Sequence, residues 1–470
     1  MLNTIVGYIN EALYSWVLII LLVGGGIYFT VRTKFAQVTT LPEQIRGVTE
    51  APNKKGGISS LSALLVSTAS RVGTGNIIGV STAICCGGFG SVFWMWVIAI
   101  IGAASAFVES TLAQIYKRRG KDGSFGGPAY YIEQALGCRP LAIVFSVLLI
   151  LTYGVGFNML ASYNLQSSFA QYSFYDERIT PWIIGLMLAA LVCFCLFGGG
   201  KRLLKITGIL VPVMGIAYIL VALVIVFMNI GLLGGVLGRI FSEAFNFRAI
   251  FGGFGGSCVM YGIKRGLFSN EAGVGSAPNA SAAADVSHPA KQGLVQVLSV
   301  FIDTLLVCSA TAFMCLCSGI EPTKALEGAP YVQASMSASL GGFGPVFITV
   351  AMVLFAFTTI IGNLFYVDKA FNHVFGKAPA KKFKIAYYIV ASALVLVGAG
   401  LSAGFLWNLA DLMMGLMTII NMPVIIILGR YAFRALKDYR RRRKSSSDTP
   451  FLARDIGINQ KLDYWQDDSE

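Results

Sequence analysis

Ser70-Arg71-Val72-Gly73-Thr74-Gly75-Asn76 sets a charge, two glycines, two hydroxyls and a carboxamide in the middle of an apolar run, Ser59 to Cys86. Groups of these types could hold a small zwitterion and a cation. Each glycine costs about 1 kcal/mol against alanine in a helix interior, and backbone groups freed by an unwound turn cannot stay unpaired in hydrocarbon. A lipid-facing helix gains nothing from such a centre. A helix that unwinds there presents N–H groups to an anion and C=O groups to a cation, which is how discontinuous helices build transport sites. The alternative is a packing face of small residues, since Gly75 and Gly79 form GxxxG. The spacing is not that of a dinucleotide-binding loop, and no strand precedes it.

Further polar residues fall inside apolar stretches: Glu109, Asn158, Asp303, Thr358, Thr359, Asn363, Asp411 and Asn421. Such residues are expensive in a membrane and mark sites or structural pairs. For Glu109 and Asp411 pairing is the expectation, Glu109 with Arg71 or a loop lysine. Nothing resembles a nucleophile with its base, a metal cluster or a nucleotide loop, so the chain reads as no enzyme. Nine scattered cysteines form no CxxC and there are only two histidines, which argues for packing thiols rather than a zinc or redox site.

The elements that must position these residues are membrane helices. Of 470 residues 56% are hydrophobic and 13% charged, with a mean hydropathy of +0.70; soluble domains carry about 25% charged residues. The net charge of +13 therefore does not indicate nucleic acid. Spans of roughly 20 apolar residues give eleven helices, at about 12–31, 59–85, 90–116, 139–170, 181–198, 203–229, 248–263, 292–318, 343–367, 385–404 and 406–429. All but five of the 36 Lys and Arg (Arg71, Arg178, Arg239, Arg248 and Lys324) fall in the loops after the odd-numbered spans and in the tail. Basic loops stay inside, which predicts an outer N-terminus and a cytoplasmic C-terminus in the plasma (inner) membrane. The start lacks the basic region of a signal peptide. The tail, with Arg440-Arg441-Arg442-Arg443-Lys444, is expected to lie on anionic lipid.

With the first span set aside, ten remain, and the first of each five is glycine-broken: SRVGTGN in the second span and FGGFGGS in the seventh. These two run in opposite directions, the pattern of an inverted repeat with a central site. That favours a transporter over a channel.

The segments SRVGTGNIIGVSTAI, FVESTLAQIYKRR…GGPAYYIEQALG and RGLFSNEAGVGSAPNASAAA…HPAKQGLVQVLSVFIDT resemble the alanine/glycine:cation symporter family. The resemblance runs from about residue 59 to 430. It implies an all-α polytopic membrane protein of eleven transmembrane helices, one extra N-terminal helix plus a leucine-transporter-like five-plus-five inverted repeat. The division would be 1–58, 59–247 and 248–430 for the extra helix and the two repeats, and 431–470 for the basic cytoplasmic tail. It also implies sodium-coupled import of a small neutral amino acid. Sodium is then the coupling ion, with no cofactor, nucleic acid or protein partner. A proton-coupled carrier and an amino-acid-gated channel or sensor on the same fold are the rival readings.

Carried over by residue, Thr74 and Gly75 would bind the substrate carboxylate through their N–H groups, with Asn76 opening the half-helix beyond. Carbonyls of Ala69 and Val72 would face Phe355, Thr358 and Thr359 in an all-oxygen sodium site. Phe254, Gly255, Gly256, Ser257 and Met260 of the seventh span would line the pocket. One departure falls in the fourth span, where the family reads asparagine-methionine, then glutamine and, two residues later, asparagine. Here Asn158-Met159 is followed by Ala161 and Tyr163. If Asn158 and Ala161 face the substrate, a larger side chain such as that of glutamine becomes plausible beside alanine and glycine.

Overall fold

A computed structural model describes residues 2–53, 57–120, 123–246, 257–445 and 450–466. In chain order its main helices are α1 (Thr4–Arg32), α2 (Ser60–Arg71), α3 (Gly75–Gly87), α4 (Gly90–Ile115), α5 (Arg139–Ser167), α6 (Thr180–Leu196) and α7 (Gly199–Met228). They are followed by α8 (Ile230–Ala244), α9 (Cys258–Asn270), α10 (Pro289–Leu316), α11 (Ala329–Leu340), α12 (Phe343–Val374), α13 (Lys381–Ala399) and α14 (Ala403–Lys444). A two-stranded antiparallel hairpin, β1 (Arg118–Gly120) with β2 (Gly123–Phe125), follows α4.

Among the described residues, eight helices are long and apolar enough to cross a membrane. The difference from eleven predicted spans has a physical reason. The second predicted span is two half-helices, α2 and α3. The fifth, α6, has 17 residues, about 26 Å at 1.5 Å per residue. The seventh is represented by α9, with 13. The outward faces carry bare apolar side chains, among them Phe194, Val213 and Phe227, as a lipid-facing surface does.

Two of the half-helices start on hydroxyl caps: Ser59 Oγ accepts from Ser62 N at 3.1 Å and Ser257 Oγ from Met260 N at 3.3 Å. Such a cap satisfies one of the free N–H groups of the first turn. α9 lies along α4 in parallel. A Cβ at Gly262 would strike Ser91 and Trp94, one at Gly266 would strike Ile98, and one at Gly102 would strike Ala272. α3 ends where α9 begins, since a Cβ at Gly87 would come 3.3 Å from Cys258 Cα. The two half-helices are therefore antiparallel.

Most basic side chains gather at the opposite end from Gly87. There Lys291 pairs with Glu50 at 2.5 Å, Lys384 with Asp368 at 3.0 Å, and Arg443 with Glu43. Lys264 and Arg265, counted above among the basic loops, are not at this end. They sit in α9 against Asp411 near the start of α14, Arg265 buried and Lys264 partly exposed.

The chain after α14 folds back onto the basic end. Phe451, Ile456, Ile458 and Leu462 are buried, and Trp465 Nε1 donates to Gln114 O at 2.8 Å. Asp463 pairs with Arg118 at 3.0 Å. The Trp465 ring packs with Ile58, Ala63, Ala284 and Val286, between the start of α2 and the strand-like contact of Ile58 with Ala284. The basic run that ends α14 makes some protein contacts while Arg441, Arg443 and Lys444 stay exposed: Arg441 and Arg442 bind Asp438, and Arg440 donates to Thr33 O at 3.2 Å.

Candidate functional site

The unwound turn predicted in the second span lies between α2 and α3. Val72 leaves the helix with an extended backbone, φ −75° and ψ 94°, and Gly75–Gly79 resumes as a wide π turn. Such turns recur at functional sites because they release backbone groups. Asn76 holds the gap: its Oδ1 accepts from Gly73 N at 2.8 Å, and its Nδ2 donates to Asp303 Oδ1 at 2.7 Å. Thr74 Oγ1 accepts from Asn164 Nδ2 of α5 at 3.1 Å.

α12 crosses α2 at the break. A Cβ at Gly362 would come within 2.7 Å of Ser70 N, so only glycine allows this approach. One turn away the Thr359 hydroxyl lies directly against Gly73, is buried and has no hydrogen-bond partner. Ala69, Val72 and Phe355 are at most 1% exposed and share one buried cluster. Thr358 is turned toward α7. Its hydroxyl donates to Leu354 O at 2.9 Å and lies 3.5 Å from Met214 Sδ.

A second interruption follows α9. Glu271 is left-handed at φ 52° although it is not glycine, and Gly273 and Gly275 follow at φ 87° and 92°. Non-glycine residues in that region carry strain and concentrate at functional sites. Gly275 is also hemmed in by Phe145, Pro128 and Asn421, so neither its space nor its backbone admits a side chain. The described break in the seventh span is thus in SNEAGVGSAP. Phe254, Gly255 and Gly256, with most of FGGFGGS, lie outside the described residues.

Ser257 and Met260 are at the far end of α9, beside Gly87. Met260 lines a separate cavity of about 190 Å³ with Gly7, Asn10, Tyr14 and Lys264. These two residues are therefore not beside Thr74. The ring that does meet the first break is Phe268, whose Cε1 would be 2.8 Å from a Cβ at Gly75. Phe268 stands between Phe157 and Trp407, with ring centroids at 4.8 and 4.9 Å.

The polar residues between the breaks form one network. Ser70 Oγ donates to Asn363 Oδ1 at 2.7 Å, and Asn363 Nδ2 to Asn158 Oδ1 at 2.9 Å. Asn158 is thus tied to α12, while Ala161, three residues on, is buried with Ala69 and Val72 in one cluster. Asp303, on a π stretch of α10, accepts from Asn76, from Ser269 at 2.7 Å and from Thr304 at 2.8 Å. Glu271 accepts from Ser276 at 2.6 Å. Glu109 accepts from Asn421 Nδ2 at 3.0 Å and from the Gly273 N–H, with the Arg71 guanidinium as its nearby cation and no ion pair to a lysine among the described residues.

Phe268, Ser269, Glu271 and Asn164 are absent from the sequence-based site. Their signal was present in the chain: Gly273-Val274-Gly275 repeats the Gly-x-Gly of Gly73-Thr74-Gly75.

The sequence model of the sodium:alanine symporter family matches residues 1–453. Among curated proteins the chain is 41% identical to the amino-acid carrier protein AlsT of Bacillus subtilis, over 100% of this chain and 98% of that protein. It is 43% identical to the "Probable sodium/glutamine symporter GlnT" of the same organism, covering 99% of this chain and 96% of that one. To the sodium/alanine symporter AgcS of Methanococcus maripaludis the identity is 36%, over 94% and 98% of the two chains. Among solved structures, MhsT in complex with L-phenylalanine superposes with a TM-score of 0.60 at 15% identity, over 82% of this chain and 93% of that one. That likeness shows a common fold.

Proposed function

Because the chain belongs to the sodium:alanine symporter family, a family of multi-pass membrane transporters rather than enzymes, we propose that it imports a small neutral amino acid with sodium by alternating access. Alanine, glycine and glutamine are the substrates in view. The observation that carries the reading is the Thr359 hydroxyl, buried, unpartnered and laid against Gly73 at the break.

The carboxylate of the amino acid would rest on the N–H groups of Thr74 and Gly75, where the start of α3 favours negative charge. Sodium would take carbonyls of Ala69, Val72 and Phe355 and the hydroxyls of Thr358 and Thr359, since a hard cation prefers oxygen ligands. Phe268, not the residues near Ser257, would close the pocket above Gly75. Asn158 and Ala161 would face the side chain of the substrate.

The two Gly-x-Gly breaks, on half-helices that run antiparallel, support a five-plus-five inverted repeat in which α2 to α7 oppose α9 to α14. The basic end would face the cytoplasm, with the N-terminus outside. One sodium entering with a zwitterion moves one charge, about 2.3 kcal/mol per 100 mV. A tenfold sodium gradient adds about 1.4 kcal/mol.

Uptake of labelled amino acids by proteoliposomes, with and without sodium, tests the reading. Saturable uptake that follows an imposed sodium gradient is expected for at least one of alanine, glycine and glutamine. Uptake driven by a pH gradient with sodium absent would replace it with the proton-coupled carrier. Flux that does not saturate would replace it with a channel.

A further inference from the structure

At the end of the molecule away from the basic side chains, α1, α9 and α14 enclose a cavity of about 190 Å³. Asn10, Glu11, Tyr14, Lys264 and Asn408 lie on its wall. A layer of side chains divides it from the first break. Arg265 follows Lys264 in α9, and its guanidinium lies 4.0 Å from the centre of the Trp407 ring. Trp407 packs in turn on Phe268, the ring that covers Gly75. At about 30 Å³ per water the cavity has room for about six waters. Drug-sized ligands occupy about 300 Å³ or more, so its occupant is a smaller molecule.

The wall presents both signs of charge at separate points. Lys264 Nζ lies 2.9 Å from Asp411 and 4.9 Å from the centre of the Tyr14 ring, with its side chain partly exposed. An ammonium has three N–H donors, so these two contacts leave one for the cavity. Arg265 holds the same Asp411 at 3.3 Å. Two cations thus share one carboxylate, and a positive charge is left over. Glu11 is exposed at the rim and makes no ion pair among the described residues. Glu11 and Lys264 therefore border one cavity without pairing.

Asn10 adds an independent mark. It is 2% exposed, and its Nδ2 donates to Asn408 O at 2.8 Å. Its Oδ1 is buried with no partner. A buried acceptor left unmet is costly, and a donor from a ligand would meet it. A purely anionic ligand would satisfy Lys264 and be repelled by Glu11, and a purely cationic one would meet the reverse. A molecule with a carboxylate at one end and an ammonium at the other satisfies the whole wall.

We propose that this cavity is a second amino-acid site, outside the central one. The ligand lays its carboxylate on Lys264 and its ammonium on Glu11 and Asn10 Oδ1. α1, the helix set apart from the two repeats, thereby supplies half of a binding site. Both ends of the ligand meet opposite charge from the protein, so binding here needs no sodium. The class of ligand rests on the symport reading, in which this end faces outward and an amino acid reaches it first.

Equilibrium binding to the purified full-length chain in detergent tests it, with labelled alanine, glycine and glutamine, in sodium and then in potassium. The best ligand should saturate at two molecules per chain in sodium and at one in potassium. One per chain in sodium with none in potassium would overturn the proposal. Glu11→Gln and, separately, Lys264→Met should each weaken the binding seen in potassium about tenfold or more. Glu11 is exposed, so its replacement spares the fold, and unchanged affinity in either variant would overturn the assignment. The N-acetyl form of the same amino acid lacks the ammonium and should not compete in potassium. Equal competition would make this an anion site and overturn the zwitterion. Binding in potassium with no sodium-dependent part for any of the three would instead remove the symport reading and leave the outer site standing.

Discussion

Two buried charge clusters in this molecule are built in opposite ways. Around Asp411 the charges are closely paired: Lys264 Nζ lies at 2.9 Å and Arg265 Nη1 at 3.3 Å, with the Arg265 guanidinium 4.0 Å above the Trp407 ring. Around Arg71 the charges are near but not joined, and several polar atoms lack partners. The first arrangement fixes α9 to α14 and leaves little to rearrange. The second keeps its electrostatics open to an arriving ion. The two clusters thus differ in ion pairing rather than in burial.

Asp411→Asn attacks the ion-paired cluster and should have the largest effect. It strands the buried Arg265, beside the partly exposed Lys264, and breaking a buried pair typically costs about 3–5 kcal/mol. Thermal unfolding in detergent should show that loss, and stability within about 1 kcal/mol of the parent would erase the contrast. Thr359→Ala tests the open side. Removal of that hydroxyl should raise the sodium concentration for half-maximal uptake about tenfold, or about 1.4 kcal/mol, with thermal stability nearly unchanged. Thr358→Ala should do less, since its hydroxyl already serves carbonyls of its own helix. An equal shift in both would mean that the two hydroxyls ligate together. The smallest effect is expected for Lys264→Met. Arg265 still holds Asp411, so a loss under about 1 kcal/mol is anticipated. A loss as large as that of Asp411→Asn would assign the pairing to Lys264 alone.

The first break was legible because charge and glycine coincide in one heptapeptide, which no plain membrane helix tolerates. The second was sought in the glycine-dense FGGFGGS, whereas the described backbone turns left-handed at Glu271, a residue without the sequence mark of a break. Lys264 and Arg265 looked like loop charges because their partner, Asp411, is 146 residues away and sequence spacing does not report it. The chain beyond α14 was illegible for another reason. Phe451, Ile456, Ile458 and Leu462 anchor it without helical or strand period, so nothing in their spacing signals burial.

That returning segment has a kinetic consequence. The Trp465 indole is wedged against Ala63 of α2 and Ala284 beyond the second break, and its N–H is held by the carbonyl of Gln114. Movement that parts α2 from residue 284 would have to break the indole's contact with one of them. Uncovering a large side chain costs on the order of 1.5–3 kcal/mol. The wedge therefore acts as a brake in series with opening at the basic end. Because Trp465 is itself only half-buried, the hold it exerts is a fraction of that figure.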